Sequence, residues 1–213
     1  MNINFWNTHP RIIAGTTLRN GGQSKAAYHS NNMAFYVGDE HKSVLDNRLS
    51  LAATLTIPLN RWVFPKITHS TTIHKVTEKD LGSGSLSEEG SLMSVDGIYT
   101  SLSDVVLAVF HADCIPILFY DPTTHLIGAL HAGWVGTLAK ITSSFMQIWV
   151  EQEHVNPKDV LIYIGPALSQ SNFQVRKDVI QKVESQTPEF IPYLDKRSED
   201  QAFFDAVGMN IHQ

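Results

Sequence analysis

Apolar and polar positions fall along this chain in short blocks, and each block predicts one element. Residues 11–17 (Arg11-Ile12-Ile13-Ala14-Gly15-Thr16-Thr17) read as a strand, followed over 20–24 by a turn whose paired glycines permit positive φ. Between 40 and 55, Leu45, Leu49, Ala52 and Leu55 recur at three- and four-residue spacing. That predicts a helix with these four on its inner face, and Ile57-Pro58 lies just past its end. Strands are expected over 61–67 and 73–77. Residues 78–94, rich in Gly, Ser and charge, read as a long surface loop.

The middle of the chain is its most apolar part. Residues 105–110, 115–120 and 126–130 have the density of strands buried on both faces, with Asp121-Pro122-Thr123-Thr124 as a turn. A single helix is expected from about 135 to 151, with Leu138, Ile141, Phe145, Ile148 and Trp149 along one face. Residues 160–164 read as a strand, 176–185 as a helix carrying Val179, Ile180 and Val183, and roughly 200–213 as a helix. Strands and helices mix without regular β-α-β alternation. The fold class that follows is α+β, in one domain over residues 1–213 with mixed sheets packed against helices.

Composition changes this picture little. The chain has 213 residues, 43% of them hydrophobic and 17% charged, which suits one folded domain. The formal net charge is −5 and no basic stripe is present, which argues against a nucleic-acid partner. The N-terminus lacks a basic segment followed by an apolar one, and no run of 18 apolar residues exists. With a single cysteine, Cys114, no internal disulfide can form, and a cytoplasmic location is the expectation.

Two segments draw attention as chemistry: His111-Ala112-Asp113-Cys114 and His131-Ala132-Gly133-Trp134, each where an apolar strand ends or is interrupted. The second also starts a helix, whose unpaired N–H groups would favour an anion. A cysteine and a histidine on adjacent strand ends serve nucleophilic catalysis, zinc binding or plain packing. A catalytic zinc site needs a third ligand. His69 is a candidate, but residue chemistry alone does not separate it from His74, His111 or His125.

An ordered series of motifs narrows these choices. His111 to Leu118 and His131 to Thr137 resemble the YfiH/laccase-domain family, once labelled multicopper polyphenol oxidases. Arg19 to Ser24, Asn32, Val37-Gly38-Asp39, Asn47-Arg48, Thr68-His69, Val95 to Thr100, Ile164-Gly165-Pro166 and Phe173-Gln174-Val175 are similar to further segments of that family, in order. The resemblance implies an α+β fold and a zinc ion held by His69, Cys114 and His131, which would also be the catalytic centre. It implies phosphorolysis of adenosine, inosine and methylthioadenosine, with deamination of adenosine beside it. On that footing Arg19 and Arg48 are expected near the phosphate, and Asp113 in the substrate site or orienting a ligand histidine.

The series also departs from the family. Val135 stands where a basic residue is common, and Ile67 replaces a Gln two residues before the histidine. The family's pattern usually continues past the position of Gln213, so a C-terminal segment is expected to be missing. Copper fits less well than zinc, because oxygen reduction needs several coupled ions and one Cys-His-His set makes one centre. Three other readings remain open: a laccase-like polyphenol oxidase, a cysteine hydrolase with Cys114 as nucleophile and His131 as base, and a metal-stabilised module without activity.

Overall fold

The computed structural model describes residues 2–6 and 9–213. The strands are β1 (Ile3–Phe5), β2 (Gly15–Thr17), β3 (Trp62–Val63), β4 (Ile73–Lys75), β5 (Gly97–Thr100), β6 (Val106–Leu107), β7 (Ile115–Tyr120), β8 (Ile127–Ala132), β9 (Leu161–Ile164), β10 (Gln174–Arg176), β11 (Leu194–Ser198) and β12 (Gln201–Phe204). The helices are α1 (His41–Leu55), α2 (Trp134–Leu138), α3 (Ile141–Gln152), α4 (Lys177–Gln186) and α5 (Ala206–His212). A five-stranded sheet in the order β4-β5-β8-β7-β9 forms the centre. It is mixed, with β4 parallel to β5 and every other pair antiparallel. Antiparallel β10-β12-β11, antiparallel β1-β2 and parallel β3-β6 complete an α+β architecture.

The main core lies between this sheet and α3, α4 and α5. Phe119 stacks on Phe145 with ring centroids 4.3 Å apart, and Trp149 closes on both. Gly128 on β8 has no side chain because a Cβ there would run into the Phe145 ring. This packing fixes β7 and β8 side by side, with Pro116 opposite His131.

Several expectations need correction. The strand expected over 11–17 is confined to Gly15–Thr17, and that over 105–110 to Val106–Leu107. The latter segment is only partly buried beyond Val105 because it walls a cavity. Helix α1 has the expected span but a different inner face. Val44, Asn47, Arg48, Leu51 and Ala52 are buried while Leu49 is 48% exposed. The loop over 78–94 has no regular structure beyond one turn at Glu78–Asp80, yet Gly84 and Ser85 are buried.

The helix expected from 135 to 151 is broken in two. Lys140 takes a left-handed conformation, φ 58°, between α2 and α3. No glycine or proline marks the break. Instead Gln213 spans it: its Nε2 donates to the Thr137 carbonyl (2.8 Å) and its Oε1 accepts from the Thr142 amide (3.2 Å), serving groups a continuous helix would have paired. At the C-terminus, residues 201–204 form a strand, with Ala202 and Phe204 buried, before Asp205 caps α5 by accepting from the Gly208 amide (2.8 Å).

Candidate metal centre

His131 lies near the end of β8, and Cys114 immediately precedes β7 on the adjoining strand. Antiparallel pairing of these consecutive strands therefore brings two potential ligand types to one end of the sheet. His69 arrives from the segment between β3 and β4. One potential ligand atom from each residue lies within 4.8 Å of those of the other two. Cys114 Sγ is 3.6 Å from His69 Nε2, and the two imidazoles meet edge to face with centroids 4.9 Å apart. Gly133 permits this approach, because a Cβ at that position would collide with the His69 ring.

His131 is 3% exposed. Its Nδ1 donates to Asp96 Oδ1 at 2.8 Å, which fixes the tautomer and leaves Nε2 available as a potential ligand atom. Burial pushes the His131 pKa down. The Asp96 hydrogen bond and the contact and charge of Cys114 outweigh burial and raise it to about 9. For Asp96, burial acts upward and the hydrogen bonds from His131 and Ser70 outweigh it, so its carboxyl titrates below the usual range. His111 is held neutral, its pKa pushed down to about 4 first by burial and then by the charge of His131.

The cluster opens on a cavity of about 1450 Å³, whose wall includes His69, Cys114, His131, His111, Asp113 and Arg19. Arg19 is exposed, with Nε donating to the His29 carbonyl at 2.7 Å.

Three placements differ from expectation. Arg48 is absent from the cavity wall. It is 1% exposed, and its guanidinium donates to the carbonyls of Met33 (2.8 Å), Gly84 and Ser85 (3.0 Å), so the phosphate role expected for it is withdrawn. Asp113 lines the cavity but is exposed, and the carboxylate bonded to a candidate ligand histidine is Asp96. Finally, α2 has only five residues, too short for the helix-dipole anion site expected at its start. Asp96 lies in the family-like segment from Val95 to Thr100, and its own signal in the sequence is weak because its partners lie 26 to 35 residues away.

Three ligands of these kinds with a cavity in front of them can hold one metal ion and leave a position for a small molecule. Comparison with known proteins agrees with a metal-associated fold. The family described as multi-copper polyphenol oxidoreductase laccase matches residues 13–213. The protein called purine nucleoside phosphorylase YlmD of Geobacillus stearothermophilus is 39% identical over 176 residues, covering 83% of this chain and 64% of that one. Its namesake in Bacillus subtilis is 38% identical over 174 residues, covering 82% and 63%. This chain thus spans slightly less than two thirds of both relatives. The crystal structure of the hypothetical protein YfiH from Bacillus licheniformis superposes with a TM-score of 0.90 at 34% identity, over 98% of this chain and 82% of that one. Motif order, fold and these likenesses agree, and the chain belongs to the multi-copper polyphenol oxidoreductase laccase family, the YfiH-like proteins.

Proposed function

We propose that this protein is a zinc-dependent purine nucleoside phosphorylase that splits adenosine, inosine and methylthioadenosine with phosphate, and that it also deaminates adenosine. The observation that carries the reading is the convergence of His69, Cys114 and His131 on a cavity roomy enough for a nucleoside and phosphate together. The relatives named purine nucleoside phosphorylase support it.

The donor set favours zinc over copper. A thiolate and two neutral imidazoles suit zinc, and ligand atoms about 2.0–2.3 Å from a tetrahedral centre lie roughly 3.3–3.8 Å apart. The Cys114–His69 separation of 3.6 Å falls in that range. When bound, zinc supplies Lewis-acid polarisation at its open fourth position. Asp96 holds the imidazole of His131 in the tautomer that a metal requires.

In phosphorolysis a phosphate oxygen bonds to the anomeric carbon as the bond from that carbon to the base nitrogen breaks. The site must therefore hold an anion on one side and receive a departing base on the other. Arg19, steadied at one edge by the His29 carbonyl, is the cation we assign to the phosphate. Asp113, on the cavity wall, is assigned to the ribose hydroxyls. Val135, at the exposed start of α2, carries no charge there.

Chromatography of adenosine and inosine after incubation with the zinc-loaded protein tests the proposal. Free base and ribose 1-phosphate should appear only with phosphate, and inosine should form from adenosine without it. A protein carrying one zinc per chain that releases neither would overturn the reading. Zinc bound through Cys114 would also remove the cysteine-hydrolase alternative, which needs a free thiolate. A laccase would need several coupled copper ions, and among the described residues one group of three ligands is found.

A further inference from the structure

The three ligands do not reach the centre in the same way. His131 is set by a strand, whereas His69 sits on an irregular segment with φ at 59°, a left-handed conformation costly for a residue with a side chain. Beside the Ser70 hydroxyl's bond to the Ser94 carbonyl (2.8 Å), one carboxylate takes the hydrogen bonds of that segment's backbone. Asp96 Oδ1 accepts from the His69 amide (3.1 Å) as well as from His131 Nδ1 (2.8 Å). Asp96 Oδ2 accepts from the Ser70 amide (2.8 Å), the Ser70 hydroxyl (2.7 Å) and, at longer range, the Thr68 amide (3.4 Å). Three consecutive backbone N–H groups thus curl around a single anion, a nest that is favourable only while the anion is there. The backbone carbonyl of Asp96 also accepts from the His131 amide (2.7 Å).

We propose that Asp96 is a positioning residue that locks two of the three metal ligands into one preset unit, the backbone of His69 and the ring of His131, before any metal arrives. Cys114 is then the one ligand set independently of it. The inference rests on the ligand reading above and concerns how the site is assembled rather than what it acts on. Its consequence is a metal centre whose 67–70 segment is ordered in the metal-free protein.

Asp96→Asn tests this while keeping size and shape. Its single carbonyl oxygen can serve either His131 or the nest, and its NH2 group opposes the donors that remain. In the metal-free protein, the amides of His69 and Ser70 should resist hydrogen exchange in the parent chain and exchange rapidly in Asp96→Asn. Zinc affinity, read by competition with a chromophoric chelator, should fall about 10- to 100-fold, the range typical for losing a carboxylate behind a ligand histidine. A carboxylate that served only general stability would lower the unfolding midpoint and leave the zinc affinity of the folded protein unchanged. That result, or unprotected amides in the metal-free parent, overturns the proposal. Should Asp96→Asn not fold, Ser70→Ala removes one donor to Asp96, together with the hydroxyl's bonds to the Ser94 carbonyl and from the Thr72 amide, and leaves the His131 contact intact. It should weaken zinc binding several-fold, and unchanged affinity there would count equally against the proposal. Failure of the ligand reading is a separate signal: zinc would stay bound in Cys114→Ala.

Discussion

Two buried ionic groups in this molecule invite comparison, because by burial and charge they look alike. Arg48 on α1 is 1% exposed and His131 on β8 is 3% exposed. Both have strongly displaced pKa values: burial pushes Arg48 down to about 9, and His131 stands near 9 for the reasons given above. They differ in what is left over. The Arg48 guanidinium lies over the faces of Phe64 (3.9 Å) and Phe35 (4.1 Å) and bonds three backbone carbonyls, so it ties α1 to the segments around 33 and 84–85. His131 spends Nδ1 on Asp96 and keeps Nε2, beside a thiol and a second imidazole that face a cavity. Burial and a shifted pKa are common to the group that ties elements together and the one in the candidate site. Free valence, gathered from several segments onto one point, separates them.

The comparison is broken most directly by deleting one member from each region. Cys114→Ala should abolish stoichiometric zinc binding, a loss of at least about 10³-fold, or roughly 4 kcal/mol. The metal-free protein should hardly notice, since Cys114 is only partly buried. Metal analysis beside urea unfolding of the metal-free chain reads both quantities. Arg48→Met should do the reverse. It leaves three carbonyls without their donor and should lower unfolding stability by about 3 kcal/mol. The folded fraction should still bind one zinc per chain. If Arg48→Met lost zinc at full stability, the two regions would not be separate in the way described.

The same contrast explains what could be read from the sequence. Strands β7 and β8 were legible because their apolar runs are buried on both faces, and their ends pointed to Cys114 and His131; β9 was legible from its apolar run although it is a half-buried edge strand with Ile162 exposed. The length of α1 was legible and its face was not. Hydrophobic spacing treats Asn47 and Arg48 as outward, whereas both turn inward to bond backbone. Asn47 Oδ1 accepts from the Gln23 amide (2.6 Å), and its Nδ2 donates to the Asn32 carbonyl (2.8 Å). The break between α2 and α3 was hidden because its compensation comes from Gln213, some 70 residues away. His69 could be chosen only through family resemblance, since an irregular segment gives no periodicity. Asp96 was unreadable as an organiser for the same reason: five donors reach it, none from within 25 residues of it.

A smaller effect sharpens the comparison further, because the His131 site should respond to mild alkali in a way the Arg48 site does not. In the metal-free protein the folded pKa of His131 is raised above its ordinary value of 6.5 to about 9. The folded state therefore holds a proton that the unfolded chain gives up earlier. The resulting stabilisation is complete below about pH 6.5 and is lost as pH rises through about 9. Asp96 has the opposite sense: its lowered pKa stabilises above the ordinary value of 3.8 and is lost in acid, so it adds no slope in this window. Urea unfolding of the metal-free protein from pH 6.5 to 9 should then show a decline on the order of 2 kcal/mol. With zinc bound the imidazole is already neutral, and that decline should vanish, since metal and proton compete for one ring. Arg48→Met, starting from lower stability, should keep the same slope, whereas Asp96→Asn should flatten it. A metal-free parent whose stability is level across this range would mean that the His131–Asp96 pair does not carry the proton assigned to it.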